Sequence, residues 1–395
     1  MTKNTSETVI EAIGIGGAGC NAIDHMIREG VMGVEFIAAN TDAQALKRSV
    51  AHRKLCLGTT GSGAGGKPEV GRDAAAGARE QIAEALKRAD MVFIVAGMGG
   101  GTGTGAAPVV AEIAHGMGVL TVAVVARPFG FEGERIKTAE AGIVELQKHV
   151  DSLIVVSNER LMDALGENVS MIEDFKAADE ALRHVVGGIA EIMNFPGFVN
   201  VDFEDVRILM SQKGRAMMGS ACASGVDRAR IAAKDAISQL ELINLPGAEA
   251  GGVLLNITAS RNLRMEEVIE VMDTVREFIA DDARIILGAV YDEDLGEDMR
   301  VTVVATGLAM NPGSDQAKRQ TLLLQATGID GSYVAAPFLD QHREPTDEQL
   351  GTIMSAVAAK ARERAARADA ALRFTLEREA KAALAAHRQR TGTRG

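Results

Sequence analysis

Residues 97–105 read Gly-Met-Gly-Gly-Gly-Thr-Gly-Thr-Gly, directly after the apolar run Met91-Val-Phe-Ile-Val-Ala96 and before a helical pattern expected to begin near Ala106. Glycines let successive backbone N–H groups face one centre, and the N-terminus of the following helix adds positive charge. The segment therefore predicts a phosphate cradle that suits a di- or triphosphate. A flexible linker is the alternative, but linkers are rarely placed between a buried strand and an apolar helix.

Outward from this segment, short apolar runs rich in Val and Ile alternate with helical patterns. The predicted strands are 9–15, 34–39, 91–96, 119–125 and 153–156, and the predicted helices are 21–28, 69–87, 106–115 and 133–148. Almost continuously apolar strands with helical crossovers predict a parallel sheet that is covered on both faces. Ligands bind such sheets at the carboxyl ends of the strands, which is where the glycine-rich segments fall.

A long helical pattern follows, from the capping-box pair Ser170 and Glu173 to Met193, and Phe195-Pro196-Gly197 ends it. Beyond it, strands at 215–223, 252–259, 283–290 and 300–306 and helices at 227–240 and 265–279 predict a smaller domain. The fold class is therefore α/β, with a Rossmann-like parallel-sheet domain joined by a long central helix to a smaller α+β domain. The predicted segments are 1–168 (nucleotide domain), 169–194 (central helix), 195–309 (α+β domain) and 310–395 (basic, partly helical tail).

Charge and composition narrow the possible partners. The chain has 42 Lys and Arg against 54 Asp and Glu, and residues 356–395 hold 10 of the former and 4 of the latter. The remaining body therefore has 32 basic against 50 acidic residues, and the chain has no Trp and two Tyr. An acidic body with few aromatic platforms argues against nucleic acid as a partner.

The sequence also bears on compartment and metals. No apolar run approaches the length of a membrane span, and the first residues have no apolar signal core. Cys20, Cys56 and Cys222 form no CxxC pair, and the seven histidines are scattered. We therefore expect a cytoplasmic protein without a transmembrane segment, a disulfide framework or a dedicated metal site.

Two further glycine motifs offer alternatives. Gly14-Ile-Gly16-Gly-Ala-Gly19 matches the GxGxxG of dinucleotide-binding folds, which leaves an NAD-dependent oxidoreductase as a remote alternative. Against it, Asn40-Thr41-Asp42 is a poor match to the acid expected after the second strand, and a dehydrogenase needs no second cradle. Gly61-Ser-Gly-Ala-Gly-Gly-Lys67 imitates a Walker A loop, but Pro68 replaces the hydroxyl that would bind magnesium and better begins a helix.

A third motif is acidic. Asn200-Val-Asp202-Phe-Glu-Asp205 places two carboxylates three residues apart at a predicted helix start. They lie on one side of the first turn, where they could polarise a water molecule or hold a cation. Ordinary helix capping by Asp202, with acids favoured by the helix dipole behind it, explains the same residues.

Taken in order, these motifs resemble the FtsZ family, the bacterial cell-division GTPases of the tubulin superfamily. The resemblance covers about residues 8–308 and rests on four segments in family order: Asn40-Thr41-Asp42-Ala-Gln-Ala-Leu, Gly99-Gly-Gly-Thr-Gly-Thr-Gly105, Arg127-Pro-Phe-Gly-Phe-Glu132-Gly and Asn200-Val-Asp202-Phe-Glu-Asp205. It implies a protein that binds and hydrolyses GTP and self-assembles into the filaments of the division ring, on the inner face of the membrane at mid-cell.

The resemblance also implies the nucleotide-binding residues. Backbone amides of two glycine segments would hold the phosphates, Thr102 would add a hydroxyl donor, and Glu132 would contact the sugar end. Phe175 would stack on guanine, and Asp179, with help from Asn21, would accept hydrogen bonds from its N1–H and N2–H₂ edge, which adenine lacks. The full implied set is Gly17, Ala18, Gly19, Cys20, Asn21, Gly101, Thr102, Gly103, Glu132, Arg135, Phe175 and Asp179.

Hydrolysis is implied to require two subunits. The acidic loop of one subunit would dock on the nucleotide of the next, where Asp202 and Asp205 orient or activate water and Asn200 helps to position it. Loose phosphoryl-transfer transition states need positioning more than a strong base. Mg²⁺ would be carried by the phosphates.

This sequence also departs from the family pattern. The segment 58–68 is about three residues shorter, Lys67 replaces the usual Asn, and Arg135 stands three rather than four residues after Glu132. Cys20 replaces a Gly or Asn, either as a small tolerated side chain or as a reactive thiol. A GTP-binding filament regulator with little or no turnover is therefore the alternative function.

The tail from Asp347 to Arg390 is rich in Ala and Arg, unlike the polar linker usual in the family. Ala336-Pro-Phe-Leu339 resembles the core of the family's terminal peptide, through which membrane tethers and other division proteins bind. The helical segment beyond it is either a partner- or membrane-surface helix or a solvated one.

Overall fold

A computed structural model describes residues 8–157, 171–194, 197–199, 201–212, 215–241, 251–277, 279 and 283–308. Six parallel strands form its first half, in the spatial order β3-β2-β1-β4-β5-β6. They are β1 (Ile10–Ile15), β2 (Glu35–Asn40), β3 (Arg53–Cys56), β4 (Met91–Gly97), β5 (Leu120–Arg127) and β6 (Ser152–Ser157). The strand order reverses between β1 and β4, so a crevice is expected at their carboxyl ends.

Helices cover both faces of this sheet. They are α1 (Gly16–Arg28), α2 (Ala43–Arg48), α3 (Pro68–Gly77), α4 (Arg79–Ala85), α5 (Gly101–Gly116) and α6 (Glu134–Gln147). In β4, Phe93 and Val95 point into the core on the α1 side, while Val92 and Ile94 point into the core on the α5 side. Because both faces of the inner strands β1, β4 and β5 are buried, these strands read as continuous apolar runs.

The long helix α7 (Met171–Asn194) runs parallel to α1. In its N-terminal half, Glu180 Oε2 lies 2.8 Å from His25 Nε2, and at its C-terminal end Asn194 Nδ2 donates to the Gly33 carbonyl at 2.8 Å. Leu182, Val186 and Ile189 are buried in the core that α1 also lines. The N-terminal part of α7 therefore lies toward the end of the sheet at which α1 begins.

The same sheet continues into the second half, in the order β6-β8-β11-β9-β10-β7. Among the described residues the join is short, since β6 pairs with β8 through Leu153 and Ile154. The elements are β7 (Gly197–Val199), α8 (Phe203–Met210), β8 (Arg215–Ala223), α9 (Arg228–Glu241), β9 (Gly252–Ala259), α10 (Met265–Arg276), β10 (Arg284–Tyr291) and β11 (Met299–Leu308). Here β11 is antiparallel to both neighbours, and β9 and β10 are parallel.

A separate core holds α9 and α10 against this second set of strands. The buried pair Arg228 and Glu267 connects the two helices, with Nε to Oε1 at 2.8 Å and Nη2 to Oε2 at 3.1 Å. Arg228 also donates to the Glu297 carbonyl and to Asn262, so nearly all of its donors are used. Such bidentate pairing is what allows a buried guanidinium to be tolerated.

The predicted fold class is confirmed, and several element boundaries were wrong. α5 begins at Gly101 rather than near Ala106, α1 begins at Gly16 rather than Asn21, and the helix predicted for 69–87 is two helices that meet at Ala78. The short elements β3, α2 and β7 were not predicted, and α10 ends at Arg276 rather than at 279. Ser170 lies outside the described residues, and the proposed domain limits stay predictions.

Candidate functional site

Two helix N-termini meet at the crevice between β1 and β4. α1 starts immediately after β1, and α5 starts four residues after β4 ends. Gly16 has a φ of +75°, and a Cβ atom placed on it would lie 2.9 Å from the backbone nitrogen of Gly103. A side chain at Gly16 would therefore be strained and would push the two helix starts apart. Glycine keeps the N–H groups of both helices around one centre.

Neither of these helix ends satisfies its own N–H groups through a side-chain cap. The N-cap residues Ile15 and Gly100 make no capping hydrogen bond, and neither first turn contains an acidic residue. The first N–H groups of a helix have no intrahelical acceptor, and they carry the positive end of the helix dipole. The predicted phosphate-binding residues of the first turns lie here: Gly17, Ala18, Gly19, Gly101, Thr102 and Gly103. The arrangement can bind a polyphosphate.

Two threonines order the α5 side of the cradle. The Thr104 hydroxyl accepts a hydrogen bond from the Gly99 N–H at 2.8 Å, which fixes the turn ahead of α5. Thr102 Oγ1 lies 2.6 Å from Thr41 Oγ1, and both side chains are buried. A hydroxyl both donates and accepts, so Thr102 can accept from Thr41 and still donate to a phosphate oxygen. The motif that contains Thr41 was quoted from the sequence, but its contact with Thr102 was not predicted.

Cys20 and Asn21 lie in the second turn of α1 and differ in exposure. The Cys20 thiol is buried, 3.6 Å from the Gly14 carbonyl and 3.7 Å from the Ala39 carbonyl. Burial raises the pKa of this thiol to about 12. A buried, protonated thiol is a poor nucleophile, which favours the small tolerated side chain over the reactive thiol. Asn21 is exposed on the outer side of the same turn.

The segment from Pro128 to Arg135 packs against the cradle. A Cβ atom on Gly99 would lie 2.8 Å from the Arg135 carbonyl oxygen, and one on Gly100 would lie 3.9 Å from Arg135 Nη2. Glu132 accepts from the Phe129 N–H at 2.9 Å and is ion-paired with Arg135. Arg135 therefore lies beside the predicted phosphate loop despite its altered spacing from Glu132.

Asp179 lies in the N-terminal half of α7, which packs beside α1. Its neighbour Glu180 contacts His25, and Asn21 precedes His25 by one turn, on the same side of α1 and closer to the cradle. Asp179 is half-buried, and burial raises the pKa of its carboxyl from 3.8 to about 6, against a smaller lowering by His25. Phe175 belongs to α7, but its side chain lies outside the described residues.

The acidic turn of α8, defined as residues 202–205, is elsewhere. Asp202 is the N-cap of α8 and accepts from the Glu204 N–H at 3.2 Å, as the capping alternative expected. Asp205 is paired with Arg284, with Asp205 Oδ1 at 2.7 Å from Arg284 Nη2. Arg284 was not singled out from the sequence, and no local signal would have found it. Asn200 lies outside the described residues.

The cradle and the acidic turn are at opposite ends of α5. Arg207 of α8 donates to the carbonyl of Gly118, which is two residues beyond the end of α5. The 16 residues of α5 span about 24 Å, and the cradle is at the start of that helix. The carboxylates of α8 therefore cannot reach a nucleotide bound in the cradle of their own subunit.

The structure argues against both alternative glycine motifs. Asp42 caps α2, because its Oδ1 accepts from the N–H groups of Gln44 and Ala45 at 2.8 and 3.1 Å, so helix capping accounts for this acid without a ribose. Pro68 is the first residue of α3, where its missing N–H costs nothing. The segment before it is thus a helix entry and not a Walker A loop.

The described residues also bear on metal binding and on membrane insertion. No group of three or more His, Cys, Asp or Glu side chains is placed to hold a metal ion in the part of the chain that the structure describes. Within the same residues, no helix combines the length and the apolar character that crossing a membrane requires.

The fold and the cradle define a nucleotide-binding protein of the parallel α/β class. Residues 9–166 match the model of the tubulin/FtsZ family, GTPase domain, and residues 214–309 match that of the FtsZ family, C-terminal domain. The chain therefore belongs to the tubulin/FtsZ family, and its enzymatic activity is that of a GTPase.

Individual relatives agree with this assignment. The cell division protein FtsZ of Neisseria meningitidis is 52% identical over 311 residues, which are 77% of this chain and 79% of the relative. That of Azotobacter vinelandii is 48% identical over 364 residues, covering 89% and 92%. Among solved structures, an empty FtsZ dimer from M. jannaschii matches with a TM-score of 0.72 and 42% identity, covering 77% of this chain and 89% of the other.

Proposed function

We propose that the protein is a cell-division GTPase that self-assembles head to tail into filaments, in which α8 of one subunit completes the hydrolytic site on the GTP of the next. The observation that carries this proposal is the separation of the cradle from the acidic turn by the length of α5. A site whose two halves lie at opposite ends of one molecule is completed by stacking molecules in one direction. Such a heterologous contact does not close and produces a polymer.

The nucleotide is proposed to lie along the crevice with its phosphates at the two helix starts. The N–H groups of Gly17 and Ala18 and of Gly101 to Gly103, in the first turns of α1 and α5, donate to the phosphates, and the Thr102 hydroxyl adds a donor. The N–H groups of Cys20 and Asn21 lie in the second turn of α1, where helix carbonyls accept from them. Glu132 faces the sugar end, and Arg135 adds positive charge beside the phosphate loop. Asp179 accepts from the guanine edge, with Phe175 stacking on the base and Asn21 assisting.

Hydrolysis needs a water molecule placed in line with the terminal phosphate. Asp202 and Asp205 of the neighbouring subunit accept hydrogen bonds from that water and orient it, while Asn200 helps to position it. Carboxylates suffice because a loose phosphoryl-transfer transition state depends on positioning and on charge stabilisation. The cradle supplies fixed N–H donors for the charge that develops on the phosphates. Mg²⁺ held by the phosphates would neutralise part of the same charge.

We place the protein on the cytoplasmic side of the membrane at the division site, as part of the mid-cell ring. The relatives are cell division proteins, which supports this placement. Its partners are further copies of itself and, through the tail at 310–395, membrane-tethering and division proteins. GTP and GDP are the bound nucleotides.

The test measures phosphate release per subunit against protein concentration, beside sedimentation of polymer with GTP. The rate per subunit is expected to rise with concentration, because each site needs a neighbour. Asp205→Ala should bind GTP and form polymer but lose most of its turnover. Asp227→Ala is the matched control, since Asp227 also precedes a helix of the second half and pairs with an arginine, Arg230, at 3.4 Å.

Two outcomes contradict the proposal. A rate per subunit that stays constant on dilution would show a site complete within one molecule. Polymer that forms with GTP while wild-type phosphate release stays at background would favour the filament regulator. Both arms use the full chain.

A further inference from the structure

We propose that Arg284 is a positioning residue of the hydrolytic face: it holds the carboxylate of Asp205 and offsets the negative charge of the acidic turn as that turn docks on the phosphates of the neighbouring subunit. This inference rests on the proposed function. It adds a basic residue to a face for which the sequence indicated only Asn200, Asp202 and Asp205.

The geometry comes from three elements that meet at one end of the second half. Arg284 is the first residue of β10, which pairs with the first residue of β9, Gly252. α8 packs on the same end, since a Cβ atom on Gly252 would lie 2.7 Å from Leu209 Cδ1. Arg284 thereby reaches Asp205, although 79 residues separate them in the chain.

The contact between Arg284 and Asp205 matters because of the negative charge on both docking surfaces. The acidic turn carries three carboxylates, on Asp202, Glu204 and Asp205, and a nucleoside triphosphate is itself strongly anionic. Bringing the two together with water expelled would be opposed by like-charge repulsion, which grows as the local dielectric constant falls. A cation that travels with the acidic turn reduces this repulsion at each interface.

Two arginines stand beside the acidic turn, and they differ in what they leave available. The Arg207 guanidinium lies 4.9 Å from the centre of the Phe203 ring, donates to Gly118 at 3.4 Å and is 3.7 Å from Glu204. Among the described residues, the guanidinium of Arg284 is ion-paired with Asp205 alone, and the side chain is 49% exposed. The remaining N–H groups of Arg284 can therefore face an incoming anion.

A contribution to the stability of the single subunit is a weaker explanation. Both side chains are about half exposed, 49% for Arg284 and 43% for Asp205, and exposed ion pairs add little to folding. A charge-assisted pair matters more once an interface excludes water from it. The value of the contact therefore lies in the filament and not in the isolated fold.

The experiment compares Arg284→Ala and Arg284→Lys with Arg261→Ala. Arg261 is a matched control because it forms an exposed ion pair with Glu293 at 3.0 Å and follows the opposite end of β9. Dilute Arg284→Ala should bind GTP as the wild type does, while its maximal turnover per subunit falls about tenfold or more. Arg284→Lys should fall less, since it keeps the charge but loses the planar fork.

Salt provides a readout that a purely structural role would not move. Without Arg284 the docking faces repel each other, so raising KCl should increase polymer yield and turnover in Arg284→Ala more than in the wild type or in Arg261→Ala. The inference is overturned if Arg284→Ala turns over like Arg261→Ala, if its GTP affinity falls in step with its turnover, or if salt affects all variants equally.

Asp205→Ala, measured in parallel, separates this inference from the proposed function. If the site is not shared between subunits, Asp205→Ala keeps its turnover, and the wild-type rate of phosphate release per subunit does not change with protein concentration. If the shared site is right and Arg284 has no part in it, only Asp205→Ala is impaired. If Arg284→Ala unfolds at assay temperature, Arg284→Lys is used for the same comparison. The inference is overturned if this folded variant has the turnover and the salt response of the wild type.

Discussion

The carboxyl group of Asp179 combines a proposed role in binding with a cost to folding. Burial raises its pKa from 3.8 to about 6, so the carboxyl is more readily protonated in the folded state than in the unfolded chain. The proposed contact with guanine needs the ionised form, because only a carboxylate accepts from both N–H groups of the base edge. The residue is thus held in a state that is unfavourable for folding and useful for binding.

We predict that Asp179→Asn stabilises the nucleotide-free protein at pH 7 to 8 and weakens GTP binding. A carboxyl whose pKa rises on folding contributes stability that is full below its unfolded pKa and is lost as the pH rises through its folded pKa. The stability of the wild type relative to Asp179→Asn should therefore decline between about pH 4 and pH 6 and then level off. Thermal unfolding across this range measures the difference.

GTP titrations over the same range supply the second half of this prediction. Wild-type affinity should fall as the pH drops below about 6, by up to about tenfold per pH unit, because protonation removes the acceptor. Asp179→Asn corrects for protonation of the phosphates, since it keeps the cradle. Parallel pH curves for the two proteins would remove Asp179 from the base pocket.

The sequence predicted single residues of the site but not the contacts between them. Chemistry and resemblance indicated the glycines, Thr102, Asp179 and Asp205 because their segments are local and specific. The Thr41–Thr102 and Asp205–Arg284 contacts join positions 61 and 79 residues apart. Nothing in local spacing encodes such pairs, since they depend on how strands and helices pack.

Helices and strands were predictable where hydrophobic pattern decides them. The strands β4 and β9 are buried, long and rich in apolar residues, and their positions agree closely with the prediction. β3 was missed because only its alternate residues, Arg53 and Leu55, are partly buried and it lies at the sheet edge. The start of α5 was placed five residues late because glycine has a poor intrinsic preference for helix.

Tertiary packing explains why α5 nevertheless begins in glycine. α3 crosses so closely that a Cβ atom on Gly105 would lie 1.9 Å from the Pro68 carbonyl oxygen, and one on Gly71 would lie 2.4 Å from the Gly101 carbonyl oxygen. Helix propensity is a weak preference that such contacts override. The glycines therefore serve both the cradle and the approach of α3.

We predict that Gly105→Ala destabilises the protein by about 1–3 kcal/mol, although alanine is the better helix former, because the added methyl group forces α3 and α5 apart. Gly116→Ala, at the other end of α5, is the control. Its Cβ would meet no atom within 4 Å, so this change should be neutral or stabilise by up to about 1 kcal/mol. Urea unfolding of both variants measures the difference, and equal effects would contradict the packing argument.

At the scale of the whole molecule, the sequence predicted the fold class but not the geometry that separates the two half-sites. The parallel sheet and the long helix follow from periodicity, and the resemblance implied a shared site. The contact of Arg207 with Gly118, beyond the end of α5, establishes the distance between the cradle and the acidic turn. That contact joins residues 89 positions apart, beyond the reach of any local pattern.

We predict that two inactive variants restore hydrolysis when mixed. Asp179→Ala should bind GTP poorly but present an intact α8, and Asp205→Ala should bind GTP but lack the acid. At equal concentrations about a quarter of randomly formed interfaces join a GTP-bound Asp205→Ala subunit to an intact α8. Phosphate release by the mixture should therefore approach a quarter of the wild-type rate per subunit.

The control for mixing is the double variant, which carries Asp179→Ala and Asp205→Ala on one chain. Assayed alone, it should stay inactive. A mixture no faster than the sum of its separate components would show that the halves act within one chain. Asp227→Ala, mixed with Asp179→Ala, should hydrolyse GTP because its own α8 and cradle are intact.

In the proposed filament, whose sites are shared between neighbours, the length of α5 also makes the two tips unlike. At one tip the last cradle has no neighbour to cover it, so its GTP is protected from attack for as long as that subunit stays terminal. Interior subunits begin to hydrolyse as soon as they are covered, and the nucleotide content along the filament then records the order of arrival. Because one helix keeps the cradle and the acidic turn apart, the proposed filament has a direction, and the GDP content of each subunit reflects how long that subunit has been covered.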